Sequence, residues 1–224
     1  MFVGHYAAAM AAKTLEPRAR FWTYAAACQL VDIGWSGLIM GGVEKMHANP
    51  SLPGGMDLYF MPYTHSLPGA AAWSIGALVL GRLLLRLPWR AAVFVGLTVF
   101  SHWILDLLVH RPDLLLWFGG PKAGFGFWSY PIPEMALELG LVAMAGGGWI
   151  AQRKDAGLKA WPVIAFMGFL TALQMVASLS PSSDDAVTGG AMALAVYLVA
   201  TALAWLVERG DRSRMGVSAA VQPA

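Results

Sequence analysis

The chain has 224 residues, of which 58% are hydrophobic and only 12% charged, and its formal net charge at pH 7 is +2. With a mean hydropathy of +0.58 it is far more apolar than a soluble domain, so a polytopic helical membrane protein is expected, and the weak, scattered charge excludes a nucleic-acid-binding protein. The single cysteine, Cys28, lies inside an apolar run, which excludes an intramolecular disulfide and a thiolate metal site and leaves a small packing residue.

In chain order, residues 2–12 are apolar and alanine-rich, and with no Lys or Arg among the first 12 residues they do not read as a cleavable signal. A helix there extends about 16 Å, half of a ~30 Å hydrocarbon core. A polar turn with Lys13, Glu16, Pro17, Arg18 and Arg20 precedes a first span at 21–43. A polar, Gly/Pro-rich loop at 45–63 follows, then spans at 64–87, 90–110, 132–151, 160–179 and 187–207, with a second polar link at 111–131. The expected fold class is all-α. It is one transmembrane bundle domain over 1–210, with six spans plus an N-terminal half-membrane helix, and a disordered cytoplasmic tail over 211–224.

The basic residues set the orientation. Lys13, Arg18 and Arg20, then Arg82, Arg86 and Arg90, then Arg153, Lys154 and Lys159, then Arg209, Arg212 and Arg214 share one side if six spans alternate. Both termini are therefore expected in the cytoplasm of a bacterial-type inner membrane, with loops 45–63 and 111–131 outside.

The chemistry concentrates in Ser101–Asp113, where His102, Asp106 and His110 recur every four residues and so share one helical face. An imidazole and a carboxylate facing the same way inside hydrocarbon are costly, and a bound cation resolves the cost for mixed N and O ligands. Pro112 ends the helix near Val109–Arg111, and His110, Arg111 and Asp113 read as a polar helix end at the membrane surface. Counting ~1.5 Å per residue from the basic turns puts Asp32 and His102 at roughly 18 Å, Glu138 at about 22 Å, Asp106 at about 24 Å and His65 at about 25 Å. His5 reaches roughly 12 Å on the same count. Ligands of one site must share a level. The metal ligands expected are therefore His5, Asp32, His65, His102 and Asp106, with Asp32 or Glu138 as general base and the metal-site half at 1–113.

Glu134, at a helix start, reads as structural, and Glu44 and Asp57 as interfacial groups able to close over the site. Thr64 or Ser66 is expected to cap the helix after His65. The aromatic cluster Trp117 to Tyr130 reads as an interfacial belt, and its glycines as a loop that is either mobile or folded back tightly, able to serve as a lid. The last two spans carry little chemistry.

The order of these blocks resembles the YdjM-like membrane-bound metal-dependent hydrolases. The likeness runs over residues 1–113: an N-terminal His at His5, Asp32-Ile33, Thr64-His65-Ser66 and the His102/Asp106 pair. Gly34 and Trp35 stand where that family has a second Asp and a His, and Phe60 and Met61 stand where it has His-Arg. The resemblance implies hydrolysis. Together with the residues it leads to an expected intramembrane hydrolase with a divalent metal, most simply zinc, acting through a metal-activated water on a lipid-like ester, phosphoester or amide. Its partners are then membrane lipids and a lipid-like substrate, and no nucleic acid. The alternatives are an ion- or metal-coupled transporter and a non-catalytic scaffold.

Overall fold

The computed structural model describes residues 1–52, 55–180, 185–209 and 211. The expected tail at 211–224 lies, apart from Asp211, outside the described residues, and so do Arg212 and Arg214. The element order is α1 (His5–Leu15), α2 (Phe21–Cys28), α3 (Leu30–Met40), β1 (Lys45–Ala48), β2 (Met56–Phe60), α4 (Leu67–Leu83) and α5 (Trp89–Val109). It continues with β3 (Leu114–Leu115), β4 (Lys122–Ala123), a 3-10 turn (Phe127–Ser129), α6 (Pro131–Asp155), α7 (Trp161–Leu179) and α8 (Ala186–Val207).

Helices α5 to α8 have 21, 25, 19 and 22 residues and are long and apolar enough to cross a membrane. At ~1.5 Å per residue each matches a ~30 Å hydrocarbon core. The chain is thus a helical integral membrane protein. α4 has 17 residues and α3 has 11, short of that length. The expected continuous span at 21–43 is instead two helices, broken at Gln29 (φ −107°, ψ 4°). The Gln29 amide side chain reaches out to the Phe2 carbonyl at 3.2 Å, a bond made away from its own helix. The break has a consequence for the site. It sets Asp32 in the first turn of α3, where the helix dipole favours a carboxylate.

The expected polar loops are not bare connections. β1 pairs antiparallel with β2, Lys45 opposite Phe60 and His47 opposite Asp57, and β3 pairs with β4, Leu114 opposite Ala123. Each hairpin turns buried side chains inward. Met46 and Leu58 pack with Trp35 and Ile39 of α3, and Leu114 packs with Trp103 of α5. Leu115 also bridges to Ser66 just before α4. The hairpins therefore cover the bundle end at which α5 finishes.

At the opposite end the core is aromatic. Phe21 lies 4.4 Å from Trp149 and 5.3 Å, edge on, from Phe166, ring centre to ring centre. Glu208 locks this end by accepting from the Phe21 N–H at 2.6 Å and from Lys13 Nζ at 2.6 Å. α1 packs against α2, α5 and α6. It is 11 residues long, as a half-membrane helix should be, and delivers His5 into the bundle.

Candidate metal centre

Four elements converge on one point. His5 begins α1, Asp32 sits in the first turn of α3, and His65 lies in the turn before α4. His102 and Asp106 lie one turn apart on α5, and His110 is the C-cap of that helix. Ser66 caps α4 by accepting from the Gly69 N–H at 3.0 Å, which fixes the turn that carries His65. All six side chains are buried.

Four ligand atoms form a closed ring. His65 Nε2 lies 3.2 Å from Asp32 Oδ1, which lies 3.4 Å from His102 Nε2. His102 Nε2 lies 3.1 Å from Asp106 Oδ2, which lies 3.6 Å from His65 Nε2. A zinc-sized ion held tetrahedrally at about 2.0–2.1 Å spaces its ligands by about 3.3 Å. Two triplets, His5–Asp32–His102 and His65–His102–Asp106, have all their ligand atoms within 4.8 Å of one another.

The outer partners decide which nitrogen faces inward. His102 Nδ1–H donates to the Cys28 carbonyl at 2.8 Å. His65 Nδ1–H donates to Thr64 Oγ1 at 2.8 Å, because the Thr64 hydroxyl hydrogen is given to Glu44 Oε2 at 2.6 Å. His110 Nδ1–H donates to Asp113 Oδ1 at 2.8 Å. His65 and His102 thus direct Nε2 toward Asp32 and Asp106, and His110 directs its Nε2 toward Asp106 alone. Outer acceptors of this kind hold metal-ligating histidines in place. With a neutral His102 the inner atoms meet as acceptors: His102 Nε2 and Asp106 Oδ2 are buried and have no hydrogen-bond partner among the described residues. Acceptor lone pairs crowded to 3.1–3.4 Å repel unless positive charge lies among them. The residues present therefore fit a divalent ion, with His65, His102 and Asp106 placed to hold it and Asp32 beside them.

His5 and His110 flank this ring on the Asp106 Oδ1 side, with Nε2 atoms at 3.1 and 3.8 Å. His5 stacks on His102 with ring centres 3.7 Å apart. The nitrogen of Met1 lies 2.6 Å from the same oxygen.

Several residues sit elsewhere than their sequence context implied. His110 and Asp113 are not merely a polar helix end: both are buried at the edge of the cluster, and Arg111 ties Asp113 (3.3 Å) to Asp57 of β2. Glu44 does close over the site. It is buried and accepts from the N–H groups of Tyr63 (2.8 Å) and Thr64 (2.9 Å) besides the Thr64 hydroxyl. Glu138 shares the membrane level of the cluster, yet its carboxylate accepts from the N–H groups of Phe2 (2.9 and 3.0 Å) and Gly4 (2.7 Å). It anchors the segment that delivers His5. α8 does carry chemistry, since Tyr197 Oη donates to Asp32 Oδ2 at 2.8 Å.

The glycine loop takes the folded-back form of the two its composition allowed. Gly124 adopts φ +155°, and a Cβ there would stand 2.1 Å from the Arg111 carbonyl. That approach lets the Gly126 N–H donate to the His110 carbonyl at 2.7 Å and lays Trp128 against the His110 ring at 4.0 Å. Gly34 is also sterically required, because a Cβ there would meet the Trp73 ring at 2.7 Å. A second Asp at this position has no room. Trp35, its neighbour, stands edge on to His65 at 6.4 Å and walls the site.

No family model, curated protein or solved structure matches this chain.

Proposed function

We propose that this chain is an intramembrane metal-dependent hydrolase of the YdjM-like kind, acting on the ester, phosphoester or amide bond of a lipid-like substrate. The observation that carries the reading is the buried meeting of His102 Nε2 with Asp32 Oδ1 and Asp106 Oδ2 at 3.4 and 3.1 Å. The N/O ligand set suits zinc. When bound, such an ion supplies a Lewis acid for the scissile carbonyl or phosphoryl and acidifies water.

The chain's own groups do the rest. His65, His102 and Asp106 hold the ion, and Asp32 Oδ1 accepts the proton of the attacking water, with the Tyr197 hydroxyl on Oδ2 fixing its orientation. Trp35 and Trp128 exclude bulk water from the imidazoles. A cleft of about 500 Å³ on the hairpin side supports a lipid-like substrate. Its walls include Tyr59, Tyr63 and Phe118, Lys122 stands among them, and Asp113 links it to His110. Six spans with both termini cytoplasmic place that cleft on the outer face.

The test pairs metal analysis of protein purified without added metal with a comparison of membrane lipids in cells with and without the protein. About one divalent ion per chain and a lipid that accumulates in its absence are expected. A metal-free protein and unchanged lipids refute the proposal.

A further inference from the structure

At the bundle end remote from the metal centre, α1, α6 and α8 finish and α2 begins around a cavity of about 830 Å³. Its apolar walls are tryptophans: Trp149 is fully buried, whereas Trp205 is 44% exposed on the outer surface of the bundle. Trp22, beside Arg20, completes them. Tryptophan at this depth marks the junction of hydrocarbon and headgroups.

The charges around the cavity do not balance. Glu208 is spent on Lys13 at 2.6 Å, and Asp211 on Arg153 through two bonds of 2.9 and 3.0 Å. Arg18 is matched by Glu16 at 2.6 and 2.7 Å. Arg20 and Arg209 line the same cavity, are exposed, and have no carboxylate partner among the described residues. The Arg209 guanidinium lies over the Trp205 ring at 5.0 Å. Residues 212–224 contain two arginines and no Asp or Glu, so they bring no acidic side chain to the cavity.

Two unmatched guanidinium forks beside a tryptophan-walled hollow call for an anion with planar-fork acceptors and an apolar part. We propose that this cavity is a phosphate-binding site, in which Arg20 and Arg209 hold the phosphate group of an anionic membrane lipid and Trp22 and Trp205 flank its chains. The shared chemistry is the phosphate, which a lipid headgroup or the aqueous phase can supply. Nothing in the proposal depends on the metal centre.

The full chain is placed in nanodiscs of phosphatidylcholine with or without phosphatidylglycerol, and lipid retained on release is counted by native mass spectrometry. Inorganic phosphate is titrated into the phosphatidylcholine-only discs by calorimetry. Arg20→Gln with Arg209→Gln is expected to lower retained phosphatidylglycerol on the order of tenfold, and Arg209→Gln alone about fivefold. Arg82→Gln with Arg86→Gln, the same charge change outside the cavity, is expected to leave it unaltered. Loss of phosphate binding without loss of lipid in the double variant supports the site with a soluble source. Wild-type retention of both ligands in that variant, or equal loss on substituting Arg82 and Arg86, overturns the proposal.

Discussion

His102 on α5 gives its Nδ1 hydrogen to the carbonyl of Cys28, the last residue of α2, across 2.8 Å. Carbonyls in the last turn of a helix lack intrahelical partners, so the break at Gln29 offers an acceptor at the level of the imidazole. That bond commits His102 Nε2 to the cluster. His102→Ala should therefore strip the metal and lower stability, because Asp32 and Asp106 lose the imidazole that stands between them. Elemental analysis and thermal melts measure both. Full metal occupancy in a His65→Ala, His102→Ala double variant would end the metal assignment.

The chain Glu44–Thr64–His65 supplies the second test. Thr64 relays the Glu44 carboxylate to His65 Nδ1 with bonds of 2.6 and 2.8 Å. Thr64→Val keeps the shape of the side chain and removes the relay, and an outer partner of this kind typically contributes about 10–100-fold to metal affinity. Chelator competition on the purified protein should register that loss. Unaltered affinity would mean that His65 is oriented by packing against Trp35 alone.

The inner ring was legible in the sequence because depth can be counted. Asp32, His65, His102 and Asp106 reach similar levels from two basic turns, and the helical rise is constant. The same count admits Glu138, whose direction it cannot supply: that carboxylate turns to the Phe2 and Gly4 N–H groups. Glu44 and Tyr197 escaped for a related reason. Their partners, Thr64 and Asp32, are 20 and 165 residues away, and no local pattern encodes such pairings. Asp113 three residues after His110 was a usable signal, since a carboxylate within reach of an imidazole Nδ1 is the usual outer partner of a ligand. The hairpins were hidden because four- and five-residue strands with one buried side chain each give almost no periodicity.

Acid should loosen the basic end of the bundle through Glu16. Hydrogen bonds from Arg18 Nε and Nη2, supported by Arg90 Nε at 3.1 Å, hold the Glu16 carboxyl below the ordinary glutamate range. A carboxyl depressed in the folded state contributes stability above its unfolded pKa, and that contribution is lost as pH falls through the folded value. Melting temperature should therefore drop on acidification below the ordinary glutamate range, and Glu16→Gln should flatten the dependence. Identical pH profiles for the two proteins would show that the bonds to Arg18 and Arg90 contribute nothing.

The proposed topology, six spans with cytoplasmic termini, puts Lys122 outside and Lys154 inside. In a Cys28→Ser background, Lys122→Cys should react with an impermeant maleimide on intact cells. Lys154→Cys should react only after permeabilisation. Both positions are exposed, so lack of reaction reports sidedness rather than burial. Labelling of both from outside would require an even number of crossings between them and would overturn this topology.

Asp32 separates a closed site from an open one. Its Oδ1 lies 3.2 and 3.4 Å from the Nε2 atoms of His65 and His102. If it completes a four-ligand set with Asp106, no position remains for water, and the ion is structural. If His65, His102 and Asp106 hold the ion alone, Asp32 stands beside an open position as its base, and Tyr197 steadies the carboxylate from Oδ2. Asp32→Asn preserves volume and removes both the charge and the basicity. The base role predicts a fall of roughly 10²–10⁴ in lipid turnover with metal content kept. The ligand role predicts that metal and turnover fall together. Tyr197→Phe should lower turnover by a smaller factor in the first case and leave metal content unchanged in both. If Asp32→Asn keeps normal metal and normal turnover, Asp32 has neither role and Glu138 inherits the base assignment. Glu138→Gln would then have to abolish turnover without releasing the Phe2–Gly4 segment, which its carboxylate anchors, and His5 stacking on His102 offers a spectroscopic check on that segment.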